Sequence, residues 1–337
     1  MRPGLRLERE LSLELVRVTE AAAIEAAALM GRGDTEAVDR VAVDAMRAIL
    51  GTVHVRGRVV IGEGEMDEAP MLYIGEELGA GPVPVDIAVD PVEGTSLVAK
   101  GLPGAVAVLA VAPQGTLLNA PDMYMQKLVA GPAARGALDL DDPIAVNLER
   151  VAERMHKRVD ELSVVILERE RHRQLIAQVR AAGARIKLIT DGDVAPAVAA
   201  AIPGTGVDVV AGIGGAPEGV LAAAALVCLG GEMQARLVAD TAEQAERARA
   251  MGVAPGRILG LSDLVRGDDV IFAATGITDG ELVRGVRFEG VRAARSHSVV
   301  MRSRTGTVRF VDALHHLDRK PFFRERPPTG GAGERTQ

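Results

Sequence analysis

From residue 163 onward, short aliphatic runs alternate with helical patterns, and this alternation constrains the fold more than anything else in the chain. SVVIL reads as a strand and HRQLIAQVRAAG as a helix. RIKLIT and VAPAVAAAI repeat the pair, VDVVAG and PEGVLAAAALVCL repeat it again, and DDVIFAATG is a late strand. Such a rhythm predicts a sheet with helices on its faces, at least partly parallel in this half. The core must be aliphatic, because the chain has no Trp, two Tyr and five Phe in 337 residues; Ala, Val, Leu, Ile and Met do the filling.

Upstream, apolar positions at helical spacing predict a helix over 9–31, ended by Gly31. Asp34 or Thr35 caps a second helix, TEAVDRVAVDAMRAIL. VVIG, VDIAVD and VAVLAVAP read as strands, with PMLYIGEEL as a helical segment between the first two. The length suits one large α/β domain or two packed lobes; approximate lobes over 9–150 and 151–318 are expected, with the Gly-Pro stretch LVAGPAARGALDLDDP as a surface loop joining them. The terminal stretch 319–337, rich in Pro, Gly and charge, is expected to be a disordered tail.

A net charge of −7 gives no sign of a nucleic-acid or membrane surface. The single cysteine, Cys228, lies in the apolar run LAAAALVCLGG and reads as a buried, inert thiol. A lone cysteine fits a reducing compartment. The N-terminal MRPGLRLERELSLEL is too charged for a signal peptide, and the apolar stretches are too short or too Gly-broken to span a bilayer. A soluble cytoplasmic protein is expected, with a homo-oligomer as its working state.

The chemistry concentrates in IGEGEMDEAP and VPVDIAVDPVEGT. Glu63, Glu65, Asp67 and Glu68 put four carboxylates into six residues, and Asp90 and Glu93 follow at the end of an apolar run. Carboxylates this dense repel one another unless cations hold them, and hard divalent ions prefer oxygen ligands. Asp90 ends its strand before Pro91, where open α/β sheets place ligands. The bland alternative is a capping Asp and a solvated acidic turn. It accounts for Glu68 near a helix start, but less well for Glu63, which follows a strand and is flanked by Gly62 and Gly64.

In GIGGAPEG, Pro217 suits a first helical position, and glycine N–H groups at a helix start suit a phosphate. Glu218 is either a dipole-favoured residue or a metal ligand. The segment lacks the third glycine of a dinucleotide fingerprint. ITDGD offers Asp191 and Asp193, as a helix cap or as partners of sugar hydroxyls. ERERHR offers Arg169 and Arg171, which bind phosphate bidentately or belong to a solvated helix start; His172 reads as a surface residue. In GRGDTEAVD, Asp39 could face the site from the second helix.

In order and over about residues 10–318, the motifs GRGD, VVIGEGEMDEAPMLYIGEELG, VDIAVDPVEGT, LNAPDMYMQKL, DGDVA, GIGGAPEGV and FAATGIT resemble the class II fructose-1,6-bisphosphatase family. The resemblance implies a single sugar-phosphatase unit over 1–318, a layered α/β fold of two mixed β-sheet lobes with flanking helices, related to inositol monophosphatase. It implies Mg²⁺ or Mn²⁺ bound by Asp39, Glu63, Asp90, Glu93 and Glu218. It implies substrate contacts from Glu93, Gly94 and Thr95, from Tyr124, from Arg169, Glu170 and Arg171, from Asp191, Gly192 and Asp193, and from Gly215.

The implied reaction is hydrolysis of D-fructose 1,6-bisphosphate, a step of gluconeogenesis. Thr95 would orient the attacking water, Glu63 or Asp67 would accept its proton, and the arginines near 169–171 would meet the second phosphate. Three departures bear on substrate preference more than on metal. Thr35 stands where the family often has Lys, Ser96 and Leu97 follow EGT, and RSHSVVMRS matches loosely. Sedoheptulose 1,7-bisphosphate or an inositol monophosphate are the alternative substrates. A non-catalytic sugar-phosphate sensor would need a damaged metal set, whereas all five matched ligand positions are acidic.

Overall fold

A computed structural model describes Leu7 and residues 10–62, 72–120, 122–250 and 252–320. Glu63, Glu65, Asp67, Glu68 and the tail from 321 lie outside the described residues.

The chain opens with helices α1 (Leu11–Ala27) and α2 (Thr35–Leu50). Strands β1 (Arg56–Ile61), β2 (Glu77–Leu78) and β3 (Pro84–Glu93) follow, then helix α3 (Thr95–Lys100) and strand β4 (Val106–Pro113). A second run comprises β5 (Tyr124–Ala130), α4 (Ile144–Arg154), β6 (Ser163–Leu167), α5 (Arg173–Ala181), β7 (Arg185–Ile189), α6 (Val194–Ala200) and β8 (Val209–Gly215). It continues through α7 (Ala216–Leu229), β9 (Glu232–Val238), α8 (Ala242–Ala250), β10 (Leu259–Gly260) and α9 (Leu261–Leu264). The chain then returns with β11 (Ile271–Gly276), β12 (Arg287–Phe288), β13 (Ala293–Arg302) and β14 (Thr307–His316).

Two mixed sheets result. The first runs β12-β13-β11-β4-β3-β1-β2, with β14 also on β13; the second runs β10-β9-β5-β8-β6-β7. In the second sheet β6 is parallel to β7 and β8, while β5 is antiparallel to β8 and β9. The partly parallel half expected from the strand–helix rhythm is therefore present. The first sheet is built from both ends of the chain and the second from the middle. The Gly-Pro stretch expected to join two lobes instead links β5 to α4 beside the second sheet.

Packing is a five-layer stack. Helices α1 and α2 cover one face of the first sheet, α6 and α7 fill the space between the sheets, and α4 and α5 cover the far face of the second. The alternation of β4 shows why its run is uniformly apolar. Val106, Val108 and Ala110 face the central helices, while Ala107, Leu109 and Val111 face α1 and α2. A strand buried on both faces has no polar phase. Cys228 lies in this central core, 7% exposed, and burial pushes its thiol up to about 12. An inert thiol is the outcome.

Two expectations need correction. The segment PMLYIGEEL is not helical among its described residues, 72–78. Gly75 takes φ +99 and donates its N–H to Val59, and Glu77–Leu78 pair with β1. The apolar spacing that mimics a helix is a turn feeding an edge strand. His172, expected at the surface, is 1% exposed. Its Nδ1 meets the Leu167 carbonyl at 2.7 Å and its Nε2 accepts from the Ile213 N–H at 2.7 Å, which fixes a neutral ring between β6 and β8.

Candidate functional site

The site forms where β3 ends against the start of α7. Asp90 and Glu93 are three residues apart, so a regular strand would point them to opposite faces. The β3–β4 ladder instead pairs Asp90 with Val108 and Glu93 with Val106, three residues against two. This β-bulge, at a proline that cannot donate to the ladder, turns both carboxylates toward the space between the sheets. Asp90 helps to set the bulge by accepting the Val92 N–H at 2.9 Å.

Glu218 enters from the first turn of α7, after Pro217 at the helix start. Oxygens of Asp90, Glu93 and Glu218 lie within 4.8 Å of one another. A Cβ on Gly215 would sit 1.9 Å from Glu218 Oε2, so the turn must be glycine for that carboxylate to fold back over it.

Electrostatics follow from the geometry. Burial, then the charges of Asp90 and Glu218, push Glu93 well above its ordinary 4.5. Burial also raises Glu218, with the Lys127 charge opposing. Glu218 Oε2 is buried without a hydrogen-bond partner among the described residues. Three acids share one pocket, with an oxygen left over. That donor set fits a hard divalent cation, which removes the repulsion and takes the unused oxygen.

The other expected residues surround this centre. Asp39, on α2, accepts a 2.7 Å hydrogen bond from Thr95 Oγ1. Burial raises Asp39, and the Asp191 charge adds to the shift. Asp39 is not among the three acids that converge. Gly94, in the left-handed conformation, makes the turn into α3 that presents Thr95. Ser96 Oγ donates to Asp191 at 2.7 Å, tying α3 to the loop after β7, where Gly192 also takes a positive φ.

Asp193 sits at the N-cap position of α6 but makes no side-chain cap. Glu93 accepts the Val194 N–H at 2.9 Å instead, so a strand of one sheet meets a helix start of the other. Asp193 pairs with Lys127 at 2.5 Å.

Tyr124 begins β5 beside Gly215 and is 46% exposed. The Arg171 guanidinium lies 4.6 Å from its ring centroid and donates to the Ile213 carbonyl. Arg169 and Glu170 remain exposed; Arg169 donates to the Glu168 carbonyl and Glu170 pairs with Arg173. Glu63 and Asp67 lie outside the described residues.

A sequence model described as bacterial fructose-1,6-bisphosphatase, glpX-encoded, matches residues 9–315. The chain belongs to the class II fructose-1,6-bisphosphatase family. It is 48% identical to a D-fructose 1,6-bisphosphatase class 2/sedoheptulose 1,7-bisphosphatase of Synechococcus sp. (strain JA-3-3Ab), over 93% of this chain and 97% of that one. It is 47% identical to a fructose-1,6-bisphosphatase 1 class 2 of Escherichia coli (strain K12), with the same coverage of each. An extragenic suppressor from Pyrococcus furiosus, known as a solved structure, aligns at TM-score 0.28 and 16% identity over 57% of this chain and 70% of that one. That likeness adds nothing to the fold already described.

One charged residue in this class II phosphatase escaped the motif reading: Lys127. The signal was present. In YMQKLVA it occupies the same strand phase as Met125 and Val129, both core residues, and a lysine in an apolar phase must be paired when buried. Among the described residues no helix is long and apolar enough to cross a membrane.

Proposed function

We propose that the chain hydrolyses D-fructose 1,6-bisphosphate to D-fructose 6-phosphate and phosphate in gluconeogenesis, as one cytoplasmic sugar-phosphatase unit that works as a homo-oligomer. The observation that carries the reading is the convergence of Asp90, Glu93 and Glu218 in a chain of this family. Mg²⁺ or Mn²⁺ would be held by these three, with Asp39 and Glu63 completing the set. When bound, the cation supplies Lewis-acid polarisation of the phosphoryl group and offsets the charge that develops on it.

The chain's own residues supply the rest. Thr95 commits its hydroxyl proton toward Asp39, so its oxygen is left to accept from a water and to aim that water at phosphorus. Glu63 or Asp67 takes the water's proton. The loop Asp191–Gly192–Asp193 offers oxygens to sugar hydroxyls, with Glu93, Gly94 and Gly215 bounding the reacting end. Tyr124, Arg169, Glu170 and Arg171 form the rim, where Arg171 stacked on Tyr124 suits the second phosphate.

A second substrate, sedoheptulose 1,7-bisphosphate, is favoured by the double name of the Synechococcus relative. The test is phosphate release from fructose 1,6-bisphosphate, sedoheptulose 1,7-bisphosphate, fructose 6-phosphate and inositol 1-phosphate, with Mg²⁺ and with Mn²⁺. Fructose 1,6-bisphosphate should turn over fastest. No release from either bisphosphate with either metal would overturn the proposal.

A further inference from the structure

Lys127 is the one buried cation at the acidic centre among the described residues, and the mechanism above gives it no part. Its side chain points from β5 into the layer between the sheets and is 4% exposed. Its ladder neighbours are Gly212 on β8 and Ala235 on β9. The ammonium pairs with Asp193 Oδ2 at 2.5 Å and donates to the Gly215 carbonyl at 3.0 Å. It therefore ties the loop after β7 to the turn before α7, two segments that border the site from different elements.

Two further observations give this arrangement a direction. Asp193 Oδ1, the oxygen Lys127 does not hold, is buried and has no hydrogen-bond partner among the described residues. A buried carboxylate oxygen left unpaired is costly unless something donates to it. In addition, a Cβ on Gly214 would lie 2.2 Å from Asp193 Oδ2 and 2.9 Å from Lys127 Nζ, so β8 keeps clear of the pair by lacking a side chain there.

We propose that Lys127 is a positioning residue that pins one oxygen of Asp193 and thereby aims the other at a hydroxyl of the bound sugar. The inference rests on the sugar-phosphatase reading. It assigns Lys127 to sugar binding, apart from the metal-binding carboxylates.

With wild-type turnover of fructose 1,6-bisphosphate established first, kcat and KM are measured for Lys127→Met, Asp193→Asn and the double variant. Mn²⁺ affinity of each protein is measured by calorimetry without substrate. Lys127→Met should raise KM about ten-fold or more, the worth of a charge-assisted hydrogen bond, with a smaller change in kcat. Asp193→Asn should do the same, and the double variant should lose no more than the worse single one. Mn²⁺ affinity of Lys127→Met should not fall, because the Asp90–Glu93–Glu218 group is intact and the charge removed beside Glu218 has the same sign as the cation.

Gly214→Ala keeps both charges and displaces them, so it should raise KM as well; it decides the matter if Lys127→Met does not fold. A folded Lys127→Met or Gly214→Ala enzyme with wild-type KM overturns the proposal, as does a double variant whose losses add. A parallel loss of Mn²⁺ affinity also overturns it, since Lys127 would then serve the metal group. An inactive wild-type enzyme would instead strike the function reading itself.

Discussion

Two buried groups of charge in this molecule have opposite constructions. Asp269 and Arg302 are 4% and 6% exposed and form a closed pair. Arg302 donates to both Asp269 oxygens, at 2.8 to 3.1 Å, and to the Leu7 carbonyl, while the Leu7 N–H returns to Asp269. Charges cancel, and the chain's start is fastened to β13. Asp90, Glu93 and Glu218 are gathered just as deliberately, by a bulge and a glycine turn, but with three like charges and an oxygen left unpartnered. The first group needs nothing from solution. The second is incomplete until a cation arrives. Burial of charge alone does not mark a site; burial of charge without its complement does.

The largest effect that could break this contrast is on turnover. Asp90→Asn should lower kcat about a thousand-fold or more, since metal-assisted charge stabilisation is worth several kcal/mol. The metal-free variant should be no less stable than metal-free wild type, because a repulsion has been removed. Chelation and dialysis should abolish phosphate release, and Mn²⁺ or Mg²⁺ should restore it. Full activity in metal-free protein would end the reading.

The closed pair should respond in the other currency. Arg302→Met strands the Asp269 carboxylate in the core, which should cost about 3–5 kcal/mol in urea unfolding. The kcat of the folded fraction should be unchanged. A variant as stable as wild type would show that the pair contributes little and that the two groups differ less than their geometry suggests. Cys228→Ala is a milder control within the central core. It removes only a sulfur, should cost about 1 kcal/mol and should keep turnover; an inactive Cys228→Ala enzyme would mean that the thiol takes part.

The same contrast explains what the sequence could and could not tell. Helix α2 matches its predicted span at both ends, because Asp34 caps it by accepting the Ala37 N–H and its apolar face is regular. Strand β4 was legible because both faces are buried. The hairpin β13–β14 was not, since its inner face carries Ser296 and Ser298. Ser298 completes a buried hydroxyl chain through Thr275 to Thr19, so the strand reads as polar. At the site, Asp90 and Glu93 stood out by type and proximity. Their shared face depends on the bulge, and local spacing argues against it. The approach of Glu218 to Glu93, and the pairing of Lys127 with Asp193, are set by sheet order across 125 and 66 residues, which no local pattern encodes.

The smallest expected effect is a difference in the sign of pH dependence. Glu93 and Glu218 are raised above 4.5, so the folded metal-free protein holds protons there that the unfolded chain has released. Their contribution is favourable in acid and is lost as pH climbs from about 4.5 through the raised values. His315 runs the other way. Burial and the nearby Lys320 charge lower it from 6.5 to about 4, and its ring is held between Ser296 Oγ and Lys320 Nζ. The unfolded chain binds the extra proton between those values, so this contribution is present above 6.5 and is lost as pH falls toward 4. Glu93→Gln should therefore flatten the alkaline-side loss in metal-free protein, and it should shrink the rise in Tm that Mn²⁺ produces at neutral pH. His315→Gln should flatten only the acid-side loss. Stability curves from pH 4 to 8, with and without Mn²⁺, separate the two. If both variants bend the same limb, the two groups titrate together, and the division between a closed structural network and an open site fails at the level of protons.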